Sequence, residues 1–138
     1  MILCVIDSSA ALAWVLPGEE NPAAEALLDR IIQDEALAPP LWRVEIANVL
    51  AMAERRGRLS ASDRQNALHH LSRLPITFDE DGDDRLWDSV SNLALRHRLP
   101  VYDAIYLELA LRSGLPLATL DKALRHAAAS SNVPLMLP

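Results

Sequence analysis

The order of apolar and polar positions divides the chain into short buried runs and longer amphipathic stretches. Residues 2–6 form a continuous apolar run that Asp7 breaks, the pattern of a strand buried on both faces. Ser8 to Leu16 reads as a helix stopped by Pro17–Gly18. Asn21 can cap a second helix running to about Gln33, with Pro22 at its first position. Glu35 to Pro39 is a short strand, and Leu41 to Arg56 is a long helix closed by Gly57. Ser60 caps a further helix to Arg73 and has Asp63 in its first turn. Pro75 to Phe78 reads as a strand, Asp83 to His97 as one helix and Tyr102 to Ser113 as another, with Gly114 just past its end. Pro116 to Leu120 is a strand, Lys122 to Ser130 a helix and Val133 to Leu137 a last strand. Alternating strands and helices predict the α/β class. The sheet should be mainly parallel, covered by helices on both faces, in one domain spanning 1–138.

Four acids interrupt this pattern. Asp7 ends MILCVID, Glu45 lies inside LWRVEIANVLAMA, Asp103 lies in VYDAIYLELAL, and Asp121 ends LATLD. Carboxylates avoid apolar segments unless their charge is compensated. Taken singly, Asp7, Asp103 and Asp121 each stand near a helix start and could be caps. Glu45 cannot, because ten of the thirteen residues from Leu41 to Ala53 are apolar. Asn48 is three residues from Glu45 and shares its face, whereas Glu54 points to the other side, and Glu108 is turned well away from Asp103. The rival for Glu45 is an internal salt bridge to Arg43 or Arg96. Two acids at strand ends also fit the rule that open α/β sheets place their sites at the carboxyl ends of strands. Together the four predict an acidic cluster holding a hard divalent cation such as Mg²⁺.

Composition narrows the chemistry. The net charge of −6 argues against indiscriminate phosphate binding but not against a nuclease whose acids are offset by cations. Twelve of the thirteen basic residues are Arg, whose planar fork suits phosphate, although an Ala- and Arg-rich chain also follows from a biased genome. The single Cys4 sits in an apolar strand and reads as a core thiol, which fits a reducing, cytoplasmic setting. MILCVI lacks the basic flank of a signal peptide, and no run approaches a membrane span. The four His have no zinc spacing, and His69–His70 reads as surface. DEDGDD (Asp79 to Asp84) has its glycine misplaced for a calcium loop and Val90 where the bidentate Glu belongs. Its Asp83 and Asp84 instead favour the start of the next helix. Trp14, Trp42 and Trp87 read as core or interface anchors.

These residues carry a resemblance that covers the whole chain. VIDSSAALAWVLPGEE, APPLWRVEIANVLAMAERRGRLS, LPVYDAIYLELALRSGLPLATLDKALRHAA and the closing VPLM resemble the PIN-domain ribonucleases, specifically the VapC toxins of type II toxin–antitoxin systems. The aspartate–serine pair, the P-x5-E-x-x-N spacing and the YDAIYLELA and LATLDKAL segments are specific in combination. The family pattern places its acids at Asp7, Glu45, Asp103 and Asp121, the same four found from burial, with Ser8, Asn48 and Thr119 at polar supporting positions; Asn132 stands where a Gly is common in relatives, and Asn tolerates the left-handed conformation. The resemblance implies a Rossmann-like sandwich and Mg²⁺- or Mn²⁺-dependent endonucleolytic cleavage of RNA. It also implies a homodimer and a cognate VapB-type antitoxin that blocks the groove. Arg43, Lys122 or Arg125 would then hold RNA phosphates. Two alternatives stay open: a PIN-like scaffold that binds RNA without cutting it, and a phosphoacceptor receiver-like domain. The second needs paired acids after the first strand, where this chain has one.

Overall fold

A computed structural model describes residues 1–138. Four strands form one parallel sheet: β1 (Ile2–Ile6), β2 (Glu35–Ala38), β3 (Ile76–Phe78) and β4 (Leu117–Ala118), in the order β3-β2-β1-β4. Cys4, Val5 and Ile6 are all fully buried. Successive strand side chains point to opposite faces, so both faces at β1 are covered, as the uninterrupted apolar run predicted.

Seven α-helices cover the sheet: α1 (Ser8–Val15), α2 (Pro22–Gln33), α3 (Leu41–Arg55), α4 (Ala61–Ser72), α5 (Ser91–His97), α6 (Val101–Ser113) and α7 (Lys122–Ser130). Their starts follow the local chemistry. The Asn21 side chain accepts from the amides of Ala23 and Ala24, and Ser60 accepts from that of Asp63. Gly114 and Asn132 both adopt positive φ, the first closing α6 and the second turning the chain beyond α7.

Two expectations need correction. The helix expected over 83–97 is instead a 3₁₀ turn (Asp83–Arg85), a π-helical turn (Leu86–Val90) and then α5. Over one turn each, the three windings space side chains too similarly for apolar periodicity to separate them. The strand expected at Val133–Leu137 contributes only an isolated bridge from Leu135 to Leu117. Pro134 has no N–H to donate to a ladder. Of the three tryptophans, Trp42 is buried and Trp14 is half-buried with its indole donating to the Ala24 carbonyl. Trp87 is 98% exposed, so it anchors nothing within this chain.

The strand order positions the site. The chain passes from β1 to β2 to β3 on one side and then returns to place β4 on the other side of β1. The connections leaving the carboxyl ends of β1 and β4 therefore diverge, and such switch points are where open α/β sheets place their sites. Pairing of Ile6 with Ala118 sets Asp7 beside Thr119 at that switch point.

Candidate active site

Asp7 is both a cap and a member of a buried polar network. As N-cap of α1 it accepts the Ala10 amide at 3.0 Å. It also accepts the Ser9 hydroxyl at 2.8 Å and the hydroxyl of fully buried Thr119. Thr119 Oγ1 in turn accepts the Asp121 amide at 3.0 Å, and Ser9 Oγ accepts the Leu120 amide at 2.9 Å. These bonds tie the β1 and β4 ends together through side chains. Burial pushes the Asp7 carboxyl up to about 6, against the pull of its hydrogen bonds from Thr119, Ala10 and Ser9, and nearby Asp103 pushes it the same way. The indole of Trp42 donates to the Asp7 carbonyl at 3.2 Å, which pins the start of α3 against this corner.

Asp121 is the N-cap of α7 and accepts the Leu124 amide at 2.9 Å. Asp103 is different. The cap position of α6 belongs to Pro100, and no hydrogen bond or ion pair holds the Asp103 carboxylate. Its carboxyl is pushed up to about 6, first by burial and then by the charges of Asp121 and Glu45. Glu45 makes no salt bridge to Arg43 or Arg96; its Oε1 accepts the hydroxyl of Tyr106 at 2.5 Å. Burial and Glu45 hold that phenol far above its ordinary range, so it remains a donor.

The structure thus brings Asp7, Glu45, Asp103 and Asp121 into one electrostatically coupled group with Thr119 among them. It is Ser9, not Ser8, whose hydroxyl donates to the Asp7 carboxylate. Asn48 is exposed on the Glu45 side of α3, with its amide 3.7 Å from the Met52 sulfur. Two supporting residues escaped the sequence reading, Ser9 and Tyr106. Tyr106 lies three residues after Asp103 on one helix face, a spacing that could have flagged it. Ser9 stands two residues after a capping Asp, within reach of its carboxylate.

The other charged residues separate from this group. Glu108, only 5% exposed, and Asp79 both bind Arg112, at 2.9 Å and 2.7 Å. Glu54 pairs with Arg64 at 2.6 Å. Arg125 donates to the carbonyls of Thr119 and Leu137, at 3.1 Å and 3.0 Å, so it braces the β4 end. Arg43 stacks 4.0 Å from the centre of the Phe78 ring, and Lys122 is exposed. His69 and His70 are exposed, as expected.

All four acids offer hard oxygen donors, and their mutual repulsion leaves Asp103 uncompensated, so the donor chemistry fits a divalent cation. No three of the His, Cys, Asp or Glu side chains stand close enough together here to form a finished coordination sphere. A cation would have to draw the carboxylates inward, and the free Asp103 is the one able to move.

A PIN domain family model matches residues 4–130. Ribonuclease VapC3 of Pyrobaculum aerophilum is 32% identical over 120 residues, covering 87% of this chain and 90% of that protein. The chain belongs to the VapC branch of the PIN-domain family. Ribonuclease VapC3 of Mycobacterium tuberculosis is 29% identical over 128 residues, covering 89% of this chain and 85% of the relative. Among solved structures, PAE2754 from Pyrobaculum aerophilum superposes with a TM-score of 0.68 at 26% identity, over 91% of this chain and 84% of its own. FitAcB from Neisseria gonorrhoeae superposes with a TM-score of 0.61 at 21% identity, over 98% and 96%, a likeness of fold alone. The PIN-domain fold agrees with the α/β class and parallel sheet read from the sequence, and it displaces the receiver-like alternative. No helix is long and apolar enough to cross a membrane.

Proposed function

We propose that the protein is a Mg²⁺- or Mn²⁺-dependent endoribonuclease and the toxin of a type II toxin–antitoxin pair. One observation supports the reading: four acids from four separate segments bear on one another electrostatically around Asp103, in a chain of the VapC family. Asp7, Glu45, Asp103 and Asp121 would hold the cation. When bound, the ion would supply positive charge to the phosphodiester and to the attacking water.

The chain's own residues divide the remaining work. Ser9 and Thr119 orient Asp7 through neutral hydroxyl donors, so its charge is fixed in direction without being cancelled. Asp121 is held by the first turn of α7. Asp103 keeps its freedom. Exposed Lys122, at the start of α7 beside Asp121, is placed to meet an RNA phosphate, and Arg43 at the start of α3 offers a second contact. Arg125 is committed to backbone carbonyls and serves the scaffold. The partners of this reading are an RNA substrate, a VapB-type antitoxin and a second copy of the chain.

Cleavage of a labelled RNA tests the reading. Activity should vanish in EDTA and return with Mg²⁺ or Mn²⁺, and Asp7→Asn or Asp103→Asn should lower it by orders of magnitude with the fold intact. Undiminished cleavage in excess chelator, or in either variant, would overturn it.

A further inference from the structure

Glu45 is the acid whose position is hardest to fix. It has the longest side chain of the four, is only half-buried on α3, and takes part in none of the molecule's ion pairs. Ordering a free Glu side chain costs rotamer entropy unless a fixed partner holds it. Its one side-chain partner is the Tyr106 hydroxyl, 2.5 Å from Oε1. Tyr106 is 1% exposed and belongs to the main hydrophobic core, so packing around its ring sets where the hydroxyl stands.

We propose that Tyr106 is the positioning residue for cation binding, holding Glu45 in register with Asp103; the inference rests on the metal-dependent reading above. Tyr106 follows Asp103 by three residues on α6. One rigid helix therefore presents one candidate ligand directly and clamps a second, on α3, through its phenol. α6 thereby fixes where the Glu45 carboxylate stands, and the unbonded Asp103 carboxylate is left to close on a cation. The choice of a phenol matters. An Arg or Lys at this point would orient Glu45 but cancel its charge, whereas a neutral donor fixes one oxygen and leaves the negative charge and the second oxygen for an ion. Ser9 and Thr119 serve Asp7 in the same way, so two of the four acids are aimed by uncharged hydroxyls from neighbouring elements.

Mn²⁺ binding to the full chain, followed by calorimetry without RNA, provides the test. Tyr106→Phe keeps the ring and removes only the donor. Its Kd for Mn²⁺ should rise by roughly tenfold or more, with the circular dichroism spectrum unchanged. A purely structural role would weaken binding regardless of what stands at position 45. The Glu45→Gln background therefore decides: there, adding Tyr106→Phe should change Kd by less than about twofold. A Kd for Tyr106→Phe equal to that of the wild type overturns the inference. An equal loss in both backgrounds overturns it too, because Tyr106 would then act by packing. If the wild type itself binds no Mn²⁺ at millimolar concentration, the metal-dependent reading fails and the tyrosine inference falls with it. The wild-type titration separates that outcome from the other two.

Discussion

Replacing Asp103 by Asn should stabilise the metal-free protein at neutral pH while removing its activity. Asp103 is half-buried, makes no hydrogen bond or ion pair and faces the charges of Asp121 and Glu45. Its carboxyl is pushed from an ordinary 3.8 to about 6. A group whose folded pKa lies above its unfolded one binds more protons in the folded state within that window. Folding stability therefore falls as pH climbs from about 4 to about 6 and is level above. Two pH units at about 1.4 kcal/mol each would be about 3 kcal/mol for a fully shielded group. Asp103 is half open to solvent, and screening brings this down to about 1–2 kcal/mol. Asn cannot ionise and has no lost bond to set against the gain. For a chain of this length the variant should melt roughly 3–8 °C above wild type at about pH 8 in EDTA. The two should converge at about pH 4, where the wild-type carboxyl is protonated in the folded state. Mg²⁺ should raise the wild-type melting temperature and affect the variant less. Thermal melts of both proteins across this pH range, with EDTA and with Mg²⁺, check the whole pattern. A variant that melts below wild type at about pH 8 in EDTA, or a gap that is the same at both ends of the range, would refute the repulsive-cluster argument at this position.

Other sites respond differently. Arg112→Ala would strand the buried carboxylates of Glu108 and Asp79, at a cost of about 3 kcal/mol in denaturant melts; a loss under about 1 kcal/mol would mean the carboxylates find water instead. Arg112 holds the Asp79 carboxyl below its ordinary range, so that pair adds stability above the ordinary range and loses it as pH falls through the lowered value. Wild type should thus lose this increment in acid, and the Arg112 variant should have none to lose. Cys4 is fully buried and its thiol is pushed up to about 12, so thiol reagents should modify it only at the rate of global unfolding, a rate measurable by mass spectrometry. Trp87→Gln should change monomer stability by no more than about 0.5 kcal/mol and remove the most water-exposed component of the tryptophan emission.

The features legible in the sequence are those whose physics is local. Asn21 and Ser60 cap their helices because a short polar side chain reaches an amide two or three residues ahead. Asn132 turns left-handed because its own backbone tolerates it. Asp7, Glu45, Asp103 and Asp121 stood out because a carboxylate inside an apolar run needs a reason, and that reason is visible one residue at a time. Tertiary structure decided how these pieces address one another. Asp7 and Asp121 turn out to be caps and cluster members at once, which only the β1–β4 pairing could establish. Ser9 rather than Ser8 holds Asp7, because the turn into α1 aims the Ser9 hydroxyl back at the cap. Glu45 meets a phenol 61 residues away, and Asp79 meets the guanidinium of Arg112 33 residues away. Such partnerships form across long loops whose closure follows from the packing of the whole sheet, and no window of neighbouring residues contains both members. The strand order belongs with them: apolar runs declare which segments are strands, but their burial on both faces is the same in any order. The switch point between β1 and β4, and with it the grouping of the acids, exists only in the order the fold selects.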